Sequence, residues 1–262
     1  MKFLSIVPLF ILSISCTTKE KTDKLNLVPL VSIDSILSSE HNFAKYFFLD
    51  VNLDDPYKAF DEDNQSLSRH DFLGSVESGN YVPIIVKNPF ESIISFQLLK
   101  LDSLQKQKFG KFLQGKGNQY ASFERLLNKE LPNFNFTDLK DKKYNSNTIK
   151  GKIVVVKYWF ISCKPCIEEM PALNKLVKQY EDRKDVIFLS FALDKAEPLM
   201  SFLNSTQFDY NIIPDSKNYT MDTLNINVFP THMILNKDGL VIAVSANAKT
   251  LKKQLEKFVK LE

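Results

Sequence analysis

Three observations predict an α/β fold. Residues 153–160 are β-branched or aromatic except for Lys157, the pattern of a strand buried on both faces. Beyond them Ile167, Met170, Leu173, Leu176, Val177 and Tyr180 recur every three or four residues, which predicts an amphipathic helix with one face on that sheet. The last third of the chain then reads strand, strand, helix, so the order is β-α-β followed by β-β-α.

Taken in order, the N-terminal half predicts a small α/β accessory domain over residues 35–127, without a catalytic constellation. Residues 44–51, 81–86 and 93–99 have strand composition, and residues 54–69 are acidic and polar, as in a loop. Residues 101–127 have helical spacing interrupted at Gly115-Lys116-Gly117. His70 beside Asp71 reads as a surface pair in that loop. The second half, residues 128–262, opens with a short entry strand at 131–136 and a turn at 141–143. A buried strand at 186–193 ends at Asp194, and a helix over 197–205 puts Leu199, Phe202 and Leu203 on one face. Residues 229–235 lead into Asn236-Lys237-Asp238-Gly239, a hairpin turn, and 240–244 return. Leu251, Leu255, Phe258 and Val259 line the closing helix.

The chemistry is concentrated at Cys163-Lys164-Pro165-Cys166, between the buried strand and its helix. A cysteine at a helix N-terminus meets unpaired backbone N–H groups and the positive end of the dipole. Such placement lowers a thiol pKa from ~8.5 to roughly 3.5–7.5. Cys163 is therefore the expected nucleophile, and Cys166, a turn later, the expected resolving thiol. Pro165 suits a first turn, where a missing N–H costs nothing. Structural zinc needs four ligands, and the chain offers one further cysteine, Cys16, with His41, His70 and His232 scattered. A static staple across so short a loop gains little entropy.

Residues 1–15 have a basic start, a short apolar core and small residues, as in a secretory signal. Cys16 after Ser13-Ile14-Ser15 resembles a bacterial lipobox, although Ser13 stands where Leu is favoured. That resemblance implies a lipid on Cys16 and a polar, lysine-rich tether over 16–34, in the envelope of a Gram-negative bacterium facing the periplasm. Thr17 in place of Asp weighs toward the outer membrane. A net charge of +3 with dispersed lysines argues against nucleic acid as a partner.

The element order, the cysteine pair at the first strand-to-helix turn and Phe229-Pro230-Thr231 before the hairpin resemble the thioredoxin fold. The stretch from Val155 through Trp159 and the cysteines to Glu168, Glu169, Met170 and Pro171 is similar to the TlpA/ResA branch, whose members are thiol-disulfide oxidoreductases. The resemblance implies exchange on disulfide-containing envelope proteins in the reducing direction, with a membrane thiol as electron donor, a lipid anchor in the membrane and no cofactor. It implies a cis Pro230 facing the cysteines, with Phe229 and Thr231 at the substrate-binding edge, and a proton role for Glu169, with a solvated helix face as the alternative. Trp159, Lys164 and Pro165 support the motif, and Pro171 implies a kink. Three residues depart from the pattern. Lys157 replaces the buried aspartate of thioredoxin, Ser162 replaces the usual Trp, and Phe160 stands where peroxiredoxins carry threonine, which argues against a peroxidase. Lys164 beside the nucleophile leaves an oxidase or isomerase open. A copper or zinc carrier using Cys163, Cys166 and His232 is the rival from another class, with His232 read as an ordinary strand residue. The N-terminal half could also bind an envelope partner.

Overall fold

The computed structural model describes residues 26–89 and 93–260. The N-terminal half contains β1 (Val28–Pro29), α1 (Ile33–Leu37), α2 (Glu40–Leu49), β2 (Lys58–Phe60), β3 (Ser66–Leu67), α3 (Arg69–Glu77), β4 (Tyr81–Lys87), β5 (Ser95–Lys100) and α4 (Ser103–Leu126). Its strands form one sheet in the order β1-β4-β5-β2-β3, in which β2 and β5 run parallel.

Four expectations for this half are corrected. Most of residues 44–51 lie in α2, where Phe43, Tyr46 and Phe47 are buried at helical spacing and the Ser39 hydroxyl accepts from the Asn42 N–H. Aromatic composition suits either element, and the one-sided burial decides. The tether expected to residue 34 gives way earlier: Leu27 is buried, Val28 pairs with Lys87, and Ser32 caps α1. The acidic stretch 54–69 holds the β2–β3 hairpin, and its last residue opens α3, so His70 and Asp71 lie in a helical first turn. Finally, α4 runs unbroken through Gly115 and Gly117. Gly117 is there for contact: a Cβ on it would stand 2.3 Å from the Glu77 nitrogen. The leader and Cys16 lie outside the described residues.

The second half comprises β6 (Asn135–Thr137), β7 (Lys143–Asn145), α5 (Ser146–Ile149), β8 (Ile153–Trp159), α6 (Lys164–Glu168), α7 (Met170–Gln179), β9 (Val186–Ala192), α8 (Ala196–Leu203), β10 (Asn211–Ile213), a π-helical turn (Tyr219–Thr223), β11 (Thr231–Leu235), β12 (Val241–Ser245) and α9 (Ala248–Val259). The entry strand is shifted to β6 and pairs with β7 as a separate hairpin. The main sheet has the order β10-β9-β8-β11-β12, with β8, β9 and β10 parallel and β11 antiparallel to both its neighbours, β8 and β12. β10 is too short to stand out by periodicity. Every residue of β8 is buried, which explains its lack of alternation. Its alternate side chains serve different cores: Val154, Val156 and Tyr158 join residues of the N-terminal half, whereas Ile153, Val155 and Trp159 meet the cysteines, α7 and α9.

The halves are tied directly. Lys253 pairs with Asp55 at 2.5 Å, and the Gln254 side-chain amide donates to the Asp54 carbonyl (3.5 Å). A cleft of about 880 Å³ lies at this junction, lined by Asp54, Tyr57, Arg69, Phe123, Val244 and Phe258. The cysteines are not among its lining residues.

Candidate active site

The end of β8 is fixed before the motif begins. The Leu193 N–H donates to the Trp159 carbonyl (3.0 Å), the Ile161 N–H to Asp194 Oδ2 (2.8 Å), and the Cys163 N–H to the Phe160 carbonyl (3.1 Å). Trp159 is fully buried, with Phe208 at 5.7 Å and 80°. This holds Cys163 as the N-cap of α6, with Lys164 and Pro165 in its first turn. Cys163 and Cys166 form a disulfide with a Cα–Cα distance of 5.3 Å. Cys166 is fully buried and Cys163 is 5% exposed.

The same end of the sheet receives the second expected segment. Phe229-Pro230 is a cis peptide, and the next residue, Thr231, pairs with Tyr158 near the end of β8. The Phe229 ring meets Phe160 edge-on at 5.3 Å, and the Thr231 hydroxyl donates to the Val228 carbonyl (2.6 Å). Lys164 is exposed, 3.7 Å from Glu168, so solvent and a carboxylate both weaken its field at Cys163.

The helix divides at Glu169, with Pro171 in the first turn of α7. There proline cannot continue the hydrogen bonding of a preceding turn. The break turns Glu169 inward: its side chain is 13% exposed, away from the solvated face that was the alternative. Its Oε2 accepts the Ala248 N–H (3.1 Å), and its Oε1 meets both Lys157 and His232 Nε2, the latter at 2.9 Å. Lys157 also donates to the Cys166 carbonyl (3.1 Å). His232 is therefore corrected from an ordinary strand residue to a member of a buried charged cluster.

Lys157 and His232 belong to a wider pattern. Across four neighbouring strands, Ser190 pairs with Lys157, Lys157 with His232, and His232 with Ser245. All four are fully buried, a polar row under the helix that carries the cysteines. Burial alone would push the Glu169 carboxyl up, but His232 and Lys157 outweigh it and hold it below the usual range. Burial lowers Lys157 and His232, with Glu169 opposing in each case.

Inspection of the sequence missed this cluster. Its signal was one polar residue within each apolar run, and which of them meet depends on strand register. Among the described residues, no group of three or more His, Cys, Asp or Glu is placed to hold a metal ion.

Residues 127–244 match the model of the AhpC/TSA family. The thiol-disulfide oxidoreductase ResA of Bacillus anthracis is 32% identical over 143 residues, 54% of this chain and 82% of that protein. A thioredoxin-like protein of Bacillus subtilis is 31% identical over 136 residues, 51% of this chain and 79% of that one. The thioredoxin domain of a thiol-disulfide oxidoreductase from Bacteroides vulgatus is 25% identical, with a TM-score of 0.46 over 51% of this chain and 97% of that one. With a buried cysteine pair capping a helix beside a cis-proline, and relatives at this identity over most of their length, the chain belongs to the ResA family of thioredoxin-like thiol-disulfide oxidoreductases.

Proposed function

We propose that this enzyme exchanges disulfides in exported proteins of the bacterial envelope, working in the reducing direction. The observation that carries the reading is the Cys163–Cys166 disulfide at the N-terminus of α6, at the sheet end where the cis Phe229-Pro230 peptide lies. Reduced Cys163 attacks a substrate disulfide. The S–S bond breaks, one substrate sulfur leaves as thiolate, and a mixed disulfide remains. Cys166 then attacks Cys163, releasing the second substrate thiol and reforming the internal disulfide. Glu169, buried one turn beyond Cys166, exchanges the proton of the resolving thiol. Phe229 and Thr231 border the edge on which an extended substrate segment pairs. A membrane thiol returns two electrons, and a lipid on Cys16 keeps the enzyme at the membrane.

Direction and location rest on the TlpA/ResA resemblance and on the signal-like leader. The test is the equilibrium of the chain with glutathione, followed by reduction of insulin. A potential near about −270 mV supports a reductase, and one near about −120 mV an oxidant. Insulin reduction that survives Cys163→Ser would overturn the assignment of the nucleophile.

A further inference from the structure

We infer that Lys157 is a positioning residue of the exchange reaction: its buried ammonium, fixed beneath the turn of Cys166, favours the thiolate of the resolving cysteine and hence the reduced protein. The inference rests on the reading of Cys163 and Cys166 as the exchanging pair. Lys157 is fully buried at the centre of the sheet, between β9 and β11, where its neighbours along β8 are Val156 and Tyr158. An apolar residue would fill this place without desolvating a charge, so the lysine needs partners. They are present: the Cys166 carbonyl at 3.1 Å and Glu169 Oε1 both accept from its Nζ.

The charges around it arrange themselves asymmetrically. The cation contacts the backbone of Cys166 itself. The anion is shared by Lys157, by His232 at 2.9 Å and by the Ala248 N–H of α9 at 3.1 Å. Ser190 faces from β9, Phe208 places its ring 6.0 Å from Nζ, and the Tyr210 hydroxyl senses the Glu169 charge. Lys164 and Glu168 lie on the solvent side. A nearby cation lowers a thiol pKa.

The balance is simple. A donor dithiol gives two electrons to the Cys163–Cys166 bond and becomes a disulfide, and its two protons go to the new thiols or to solvent. Stabilising a Cys166 thiolate sends one proton to solvent and shifts this equilibrium toward the reduced enzyme. In the forward step the same thiolate is the species that attacks the mixed disulfide.

The experiment uses the full chain with Lys157→Met, Lys157→Gln and Lys157→Arg. Gln keeps a donor for Glu169 and the Cys166 carbonyl, so it serves where Met fails to fold. The expected result is an equilibrium constant for reduction by glutathione about tenfold smaller in the Gln and Met variants, equivalent to about 30 mV. In a Cys163→Ser background, the thiolate absorbance of Cys166 should move to higher pH in the same variants, and Arg should preserve both readouts. A folded Lys157→Gln with an unchanged constant and an unchanged thiolate transition overturns the inference. So does an Arg variant that shifts as far as Gln, because packing would then be the cause. Wild-type chain that fails to equilibrate with glutathione at all overturns the exchange reading beneath it, a result distinct from normal exchange that ignores Lys157.

Discussion

Glu169 stands between opposing demands, since burial penalises its charge while Lys157 and His232 stabilise it. Its carboxyl is held below the usual range, so the stabilisation it contributes is present above the unfolded-state value, about 4.3, and is lost as pH falls through the lower folded value. Glu169→Gln should therefore flatten acid destabilisation below about pH 4, read from urea midpoints across that range. The same variant should slow resolution of a mixed disulfide by roughly 100-fold at neutral pH, the lower end of what a positioned acid or base supplies. A resolution rate within twofold of wild type would remove Glu169 from proton transfer. Cys166→Ser tests the neighbouring assignment: it should trap a mixed disulfide through Cys163, visible as a covalent adduct that a reductant releases. Both cysteines were legible from the motif alone, because a two-residue spacing at a strand-to-helix turn permits little else. The partners of Glu169 were not, because a helix period leaves an inward and an outward choice that the break at Pro171 settles.

At the scale of elements, α3 and α4 illustrate how a glycine can mean contact or nothing. Of the three glycines of α4, those at 115 and 117 read alike in the sequence, as a helix break. In the fold, a Cβ at Gly115 meets nothing within 4 Å, whereas one at Gly117 would lie 2.3 Å from the Glu77 nitrogen and 2.4 Å from its Cα. Gly115→Ala should raise stability by up to about 1 kcal/mol through helix propensity. Gly117→Ala should lower it by about 1–3 kcal/mol, since backbone must move to admit the methyl. Opposite shifts in melting temperature are expected, and equal effects would show that the α3–α4 approach is not tight. The helix α2 teaches the converse lesson. Its run of Tyr46, Phe47 and Phe48 has strand composition, and only the burial of Phe43, Tyr46 and Phe47 with Phe48 left exposed reveals the helical period. Long strands such as β8 and β9 were legible because burial on both faces demands an apolar run, and β10, at three residues, was too short to leave one.

For the whole molecule, the decisive feature is the junction of the two halves. Asp54 sits there with its carboxyl pushed up to about 6, chiefly by burial, against the Ala246 N–H and the Arg69 charge, which lower it. A raised acid stabilises the fold most below its unfolded value and loses that stability as pH rises through the folded one. The rise from 3.8 to about 6 sets an upper bound of about 3 kcal/mol on this loss, and partial exposure brings it to on the order of 2 kcal/mol. Asp54→Asn should thus stabilise the chain by about that amount at pH 7 and by nothing below about pH 4. Denaturant midpoints at the two pH values check this, and a gain that persists at low pH would point to packing instead of charge. The shared core of Phe123, Leu131, Val154, Met233 and Val244 predicts that the halves unfold together.

The order of strands and helices in the second half and the cysteine pair at the strand-to-helix turn were determined by the sequence itself, through apolar runs, helical spacing, turn residues and a short motif. The cis Pro230 was legible only through the resemblance to the thioredoxin fold. The row of Ser190, Lys157, His232 and Ser245 was decided by tertiary structure alone, as was the docking of α4 against β12. The reason is physical. A polar residue inside a strand carries no mark of the residue it will face, and a shift of one position in register would send every one of these side chains to the other side of the sheet.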